Sequence, residues 1–203
     1  MSESVTASVA PPSVLPDWPR AGMPPLLAGS IRQQPEDFQV FECPLIEPCG
    51  HGEHLWLKLR KTDWTTQSAA RVLARWAGIT QKSVSFAGQK DRNAVTEQWF
   101  SLHLPGKPDP DSDWDWPSGL QVLQTVRHDR KLKTGALLGN DFVLRVRDCQ
   151  GGRGAVEARL DSIAVEGVPN YFGEQRFGRY GDNYEKAARF LKGRKRIKDR
   201  DLR

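Results

Sequence analysis

Phe86-Ala-Gly-Gln-Lys-Asp-Arg-Asn-Ala-Val-Thr-Glu-Gln-Trp-Phe-Ser101 joins a charged, glycine-bearing turn to a run that reads as a strand. Gly88 frees the backbone to bend. Lys90-Asp91-Arg92 forms the turn, and Val95 to Leu102 supplies a rigid element behind it. Asp91 stands between two cations, which favour its charged form. One carboxylate is thus offered at the edge of a scaffold. On its own a Lys-Asp-Arg triplet is as readily a solvated turn, so its meaning depends on its surroundings.

Upstream, period-two patterns predominate. Glu36 to Glu42 places Phe38 and Val40 on one parity, with Gln39 and Phe41 on the other, and His54 to Arg60 turns Leu55, Leu57 and Leu59 the same way. From Thr65 the period becomes helical: Ala69, Val72, Leu73 and Trp76 form a stripe, a Thr or Asp63 can cap the start, and Gly78 can close the end.

Downstream, Gln121 to Val126 reads as a strand, Arg127 to Lys133 as a basic cluster and Gly135 to Asn140 as a turn. Phe142 to Asp148 alternates, with Phe142, Leu144 and Val146 on the buried face. A helix over Gly154 to Ala164 turns Val156, Leu160 and Ile163 inward and stops at Gly167. A second covers Asn183 to Leu191, with Glu185 and Arg189 an i,i+4 pair. Strands outnumber helices, and the expected fold is α+β, a mixed, largely antiparallel sheet flanked by helices.

The chain has 203 residues, 38% of them hydrophobic, enough for one sizeable core. No apolar run is long enough to span a bilayer and no signal-peptide pattern opens the chain, so a soluble cytoplasmic protein is expected. No protein partner is implied, and a monomer is expected. Net charge is +5, but residues 186–203 hold nine Lys or Arg against two Asp, leaving 1–185 slightly acidic. That run suits nucleic-acid phosphates or, equally, solvent.

Cys43, Cys49, His51 and His54 lie close in sequence, but their spacing is not that of a zinc site, and no metal is expected. The acidic stretch around Asp109, Asp111, Asp113 and Asp115 lacks the glycine and distal glutamate of a calcium loop and reads as surface.

Five motifs in order resemble the TruD family of tRNA pseudouridine synthases: Glu36-Asp-Phe-Gln-Val-Phe-Glu42, Gly52-Glu-His-Leu55, Gly88-Gln-Lys-Asp-Arg-Asn-Ala-Val-Thr-Glu-Gln98, Gly139-Asn-Asp-Phe142 and Pro169-Asn-Tyr-Phe-Gly-Glu-Gln-Arg-Phe-Gly178. The resemblance runs from about Ile31 onward. It implies isomerisation of a uridine in tRNA, at position thirteen in bacterial members, to its C-glycoside, without a cofactor. It further implies Asp91 as the catalytic aspartate, acting as nucleophile or as base, and Phe38, Asn140 and Phe142 as substrate contacts. Arg127, Arg130, Lys131 and Lys133, with the terminal basic run, would face the RNA. Residues 170–178 are expected to form a structural junction.

Family members usually continue with an inserted domain after the Tyr-Phe-Gly segment and then return to the catalytic domain. On that pattern residues 1–25 form an extended or disordered arm, 26–178 the N-terminal portion of the catalytic domain and 179–203 the basic start of the insert. The sheet is then expected to be incomplete at its C-terminal side, with an exposed edge. Two other readings remain: a catalytically incomplete RNA-binding fragment, and an unrelated hydrolase pairing Asp91 with His54 or His103.

Overall fold

Leu55, Leu57 and Leu59 share one face of a nine-residue strand, His54–Thr62, and the molecule is assembled around it. The structure is a computed structural model, and it describes residues 25–111, 113–170, 173, 177 and 181–193. The N-terminal arm, the basic run from 194 and most of the aromatic 171–178 segment lie outside the described residues.

The strands are β1 (Ala28–Ile31), β2 (Phe38–Pro44), β3 (His54–Thr62), β4 (Val84–Phe86), β5 (Val95–His103), β6 (Leu120–His128), β7 (Leu137–Leu144) and β8 (Val146–Gln150). The helices are α1 (Thr66–Trp76), α2 (Arg153–Glu166) and α3 (Asn183–Leu191). Six strands form one sheet in the order β6-β3-β5-β2-β7, with β4 also on β5. The β2–β5 pair is parallel and the other pairs of that sheet are antiparallel. β1 and β8 make a separate antiparallel ribbon. The α+β class and mixed, mainly antiparallel sheet are as expected.

Thr65 caps α1, its hydroxyl accepting the Ser68 N–H at 3.1 Å, and Gly78 follows the helix with φ 57°. The helix lays Ala69, Val72 and Leu73 on Leu55, Leu57, Leu59, Phe100 and Leu102. Each large side chain shielded in this way contributes about 1.5–3 kcal/mol. β5 is buried along nearly its whole length. On its other face Trp99 and Trp56 pack with Ala87 and Leu132.

Leu27–Gly151 forms one compact unit that contains every strand, and the chain from Gly152 onward groups separately. α3 has the expected limits, and Arg189 meets Glu185 at 3.1 Å. In α2, however, the expected inward stripe is not buried, and Leu160 is exposed. An apolar stripe records a capacity for burial, and here it is met only in part: Val156 and Ile163 are half-buried.

The C-terminal part of the sheet also departs from expectation. The 135–140 turn is shorter, because β7 already begins at Leu137, and the strand expected over Phe142 to Asp148 breaks at Arg145 into β7 and β8. The partner changes there: the Asp37 carbonyl still accepts the Arg145 N–H at 2.8 Å, in register with Phe38 and Leu144, and from Val146 the chain pairs with Ile31 and Ser30 of β1 instead. β7 is an edge strand, and Leu138, Phe142, Val143 and Leu144 on it are exposed.

Candidate active site

The residues singled out by sequence lie on one face of the sheet. Antiparallel register sets Phe38 opposite Leu144, Val40 opposite Phe142 and Glu42 opposite Asn140, so Phe38, Asn140 and Phe142 share a side. The parallel pairing of Val40 with Thr96 puts the Asp91 loop, which enters β5 through Ala94 and Val95, beside them.

That loop is held from below by a chain of hydrogen bonds. Gln98 Nε2 donates to the Gly88 carbonyl at 2.5 Å, and the Thr66 hydroxyl donates to Gln98 Oε1 at 3.0 Å while accepting the Lys90 N–H at 2.9 Å. Lys61 Nζ donates to the carbonyls of Trp64 and Asp91 at 2.7 and 2.8 Å. Its side chain is 0% exposed, and burial pushes the ammonium down to about 8, partly offset by the Asp91 charge.

The cations next to Asp91 in sequence do not serve it. Lys90 reaches Glu42 Oε2 at 2.6 Å in a buried pair, and Glu42 Oε1 also accepts the Trp99 N–H at 3.1 Å. Arg92 turns to Asp63, at 3.0 Å. In a turn, successive side chains diverge, and each cation has found a carboxylate of its own. The group facing Asp91 is Arg32, whose Nη1 lies 4.0 Å from Oδ1, while the Asp91 side chain stays 46% exposed.

Arg32 holds a left-handed backbone (φ 57°), uncommon for a residue with a Cβ and typical of places where surroundings enforce a local cost. Its guanidinium lies 4.0 Å over the Phe38 ring, which stacks on Phe142 with centroids 6.0 Å apart. Arg32 thus links the carboxylate to the aromatic pair.

Phe38 is almost buried, but Phe142 is 61% exposed, contrary to the buried orientation expected of it. Strand parity gives the face correctly, yet on an edge strand that face is only partly covered. Asn140 Oδ1 is shielded and has no hydrogen-bond partner among the described residues.

Asp37, the middle residue of the Glu36-Asp37-Phe38 motif, is structural. It is 0% exposed and takes two bonds from Arg147 Nε, at 2.9 and 2.8 Å, and the Gln34 N–H at 3.2 Å. The Arg147 bonds hold its carboxyl below the usual aspartate range.

His54 and His103 pair with each other at the far end of β3 and β5, seven residues along the strand from Lys61. At about 3.3 Å per residue that is roughly 23 Å from the Asp91 loop, so the hydrolase pairing is not formed. Cys43 and Cys49 also separate, to Asp141 and His128 respectively. Of the expected basic surface, Arg127 is taken up by Asp109 at 2.6 Å, whereas Arg130, Lys131 and Lys133 are exposed. A cleft of about 600 Å³ along α1, between Trp64, Arg71 and Gln81, does not include Asp91.

Comparison with known proteins bears on this arrangement. The family model described as tRNA pseudouridine synthase D (TruD) matches residues 23–194. The chain belongs to the TruD family. It is 49% identical to the tRNA pseudouridine synthase D of Aeromonas salmonicida, over 88% of this chain and 50% of that protein. It is 52% identical to that of Xanthomonas euvesicatoria, over 81% of this chain and 45% of that one. Among solved structures, a Methanosarcina mazei protein bearing the TruD name superposes with a TM-score of 0.66 at 34% identity, over 82% of this chain and 39% of that chain. The chain therefore spans about half the length of the curated TruD relatives it matches.

Two residues of this candidate site escaped the sequence reading. Lys61 has the parity of Leu55, Leu57 and Leu59, and a lysine that continues an inward-facing series is a signal of a buried cation with partners. Arg32 leaves no such trace, since its partners are set by tertiary contacts alone.

Proposed function

We propose that the chain carries the catalytic site of a tRNA pseudouridine synthase, with Asp91 as the catalytic carboxylate and Phe38, Asn140 and Phe142 contacting the target uridine, at position thirteen of the tRNA. The observation that carries this reading is a half-exposed Asp91 on a braced loop, next to Arg32 and, through it, to the Phe38–Phe142 stack.

In the reaction the bond from uracil N1 to the ribose C1′ breaks, the ring turns, and C1′ bonds to C5. C5 loses a proton and N1 gains one, so the change is an isomerisation and requires no cofactor. Asp91 acts at the sugar or the base, with the Arg32 guanidinium at hand for developing negative charge. The exposed Phe142 ring offers a stacking surface to a uracil flipped from its helix. The unsatisfied Asn140 Oδ1 can accept from a ring N–H.

Arg130, Lys131 and Lys133 meet phosphates, which sets register and salt dependence. The protein acts on tRNA as a cytoplasmic monomer; no helix among the described residues is long and apolar enough to cross a membrane.

A second reading, a piece that binds RNA without completing the reaction, is favoured by the chain's half-length match to its relatives and by the uncovered β7 edge. Tritium release from C5-labelled uridine in tRNA separates the two. Release that disappears in Asp91→Asn supports the synthase. Salt-sensitive tRNA binding with no release supports the binding piece.

A further inference from the structure

We propose that Cys49, His128 and Asp129 form a binding site for a thiophilic divalent cation of the zinc class. One ligand atom from each of the three side chains falls within 4.8 Å of the other two. Cys49 Sγ lies 3.2 Å from His128 Nδ1, and Asp129 Oδ1 lies 3.3 Å from His128 Nε2.

The histidine is the fixed member. Its side chain is 6% exposed, at the end of β6, with the Trp56 ring edge-on at 4.5 Å. Its Nε2 is shielded and makes no hydrogen bond, because the nearby Asp129 oxygen is poorly aligned for one. A buried imidazole nitrogen left without a partner is costly, and a metal at the imidazole relieves that cost. A metal takes one ring nitrogen only, and Nε2 is the one without a hydrogen bond.

Tetrahedral zinc, with bonds of about 2.0–2.3 Å, spaces its ligands about 3.3–3.6 Å apart. The imidazole and carboxylate already have that spacing. Cys49 is exposed, and its thiol closes the remaining gap by side-chain rotation. Water completes the shell. The set of thiolate, imidazole and carboxylate selects zinc-like ions over magnesium or calcium.

The Cys49 loop is held over the histidine by the chain itself. The Gly50 N–H donates to the Arg127 carbonyl at 2.9 Å, and at Gly52 a Cβ would run into the His128 carbonyl, so the approach requires glycine. Two contacts compete with the ion. The Cys49 N–H donates to Nδ1 at 3.2 Å, and Arg130 Nε stands 3.5 Å from the second Asp129 oxygen. Arg130 is 78% exposed and can swing away, and with Nε2 ligated the imidazole proton sits on Nδ1, so the Cys49 N–H bond to Nδ1 is given up as the thiolate turns to the ion. Its other two members, His128 and Asp129, are remote in sequence from Cys43, His51 and His54, the neighbours that sequence alone would group with Cys49, and the site does not depend on the proposed catalysis.

The test is titration of the reduced 203-residue chain with Co²⁺ as a spectroscopic probe, followed by competition with Zn²⁺. A thiolate-to-cobalt absorption saturating at one equivalent, and bleached by zinc, is expected. Cys49→Ser should abolish it, and Asp129→Asn should weaken binding by at least roughly tenfold. Cys43→Ser and Cys149→Ser should leave it intact. No thiolate absorption, or an unchanged one in Cys49→Ser, overturns the proposal. Both diagnostic side chains are exposed or half-exposed, so loss of folding does not confuse the result.

Discussion

Lys61 Nζ, fully withdrawn from solvent, donates at 2.8 Å to the main-chain carbonyl of Asp91. The bond fixes the peptide on which the carboxylate stands and leaves the carboxylate itself outward and half-exposed. Burial holds the ammonium at about 8 against an ordinary 10.5, so between those values the folded state binds fewer protons than the unfolded one. Stability attributable to Lys61 therefore rises as pH increases through that window. Denaturation of the wild type and Lys61→Met across the window should show the wild type gaining on the variant. A pH-independent difference contradicts the assignment.

Removing one partner of the buried Glu42–Lys90 pair leaves an uncompensated charge. Lys90→Met should cost about 3–5 kcal/mol, and Glu42→Gln combined with it should recover part of that loss. Urea unfolding of the two variants measures both effects. A Lys90→Met cost under about 1 kcal/mol would mean that Lys90 is a solvent-facing cation after all.

Asp37 is held below its ordinary value of 3.8 by the Arg147 bonds. Its contribution is therefore complete above that value and is lost as pH falls through the lower folded one. The stability gap between wild type and Asp37→Asn should be full at neutral pH and shrink on acidification below about 4. Thermal unfolding at stepped pH reads it, and a gap that widens in acid would be inconsistent with the pair.

Phe142 separates a packing role from a substrate role. Being 61% exposed, it should cost no more than about 1 kcal/mol on change to alanine, while tRNA binding weakens. A loss of several kcal/mol with unaltered binding would return Phe142 to the core.

The elements that sequence reveals best are those whose burial is one-sided and complete. Leu55, Leu57 and Leu59 announce β3, and the α1 stripe with its Thr65 cap and Gly78 stop announces a helix against it. Legibility fails where burial depends on a neighbour that periodicity does not name. Phe142 has the correct parity but lies on an edge, and the α2 stripe is only partly buried. The passage from β7 to β8 is a change of partner, from β2 to β1, both over a hundred residues earlier. Asp91, Phe38, Asn140 and Phe142 do come to one face, but the cations of the turn serve other carboxylates. Lys61 was available to a reader who followed the β3 alternation one step further. Arg32 was not, because its left-handed backbone and its place between Asp91 and Phe38 are tertiary facts.

The central claim is that Asp91 carries the chemistry, and tritium release from C5-labelled uridine in tRNA tests it most directly. Asp91→Asn, matched to the wild type in thermal stability and tRNA affinity, should reduce release by at least about a thousandfold. Release at the wild-type rate from that variant would contradict the account.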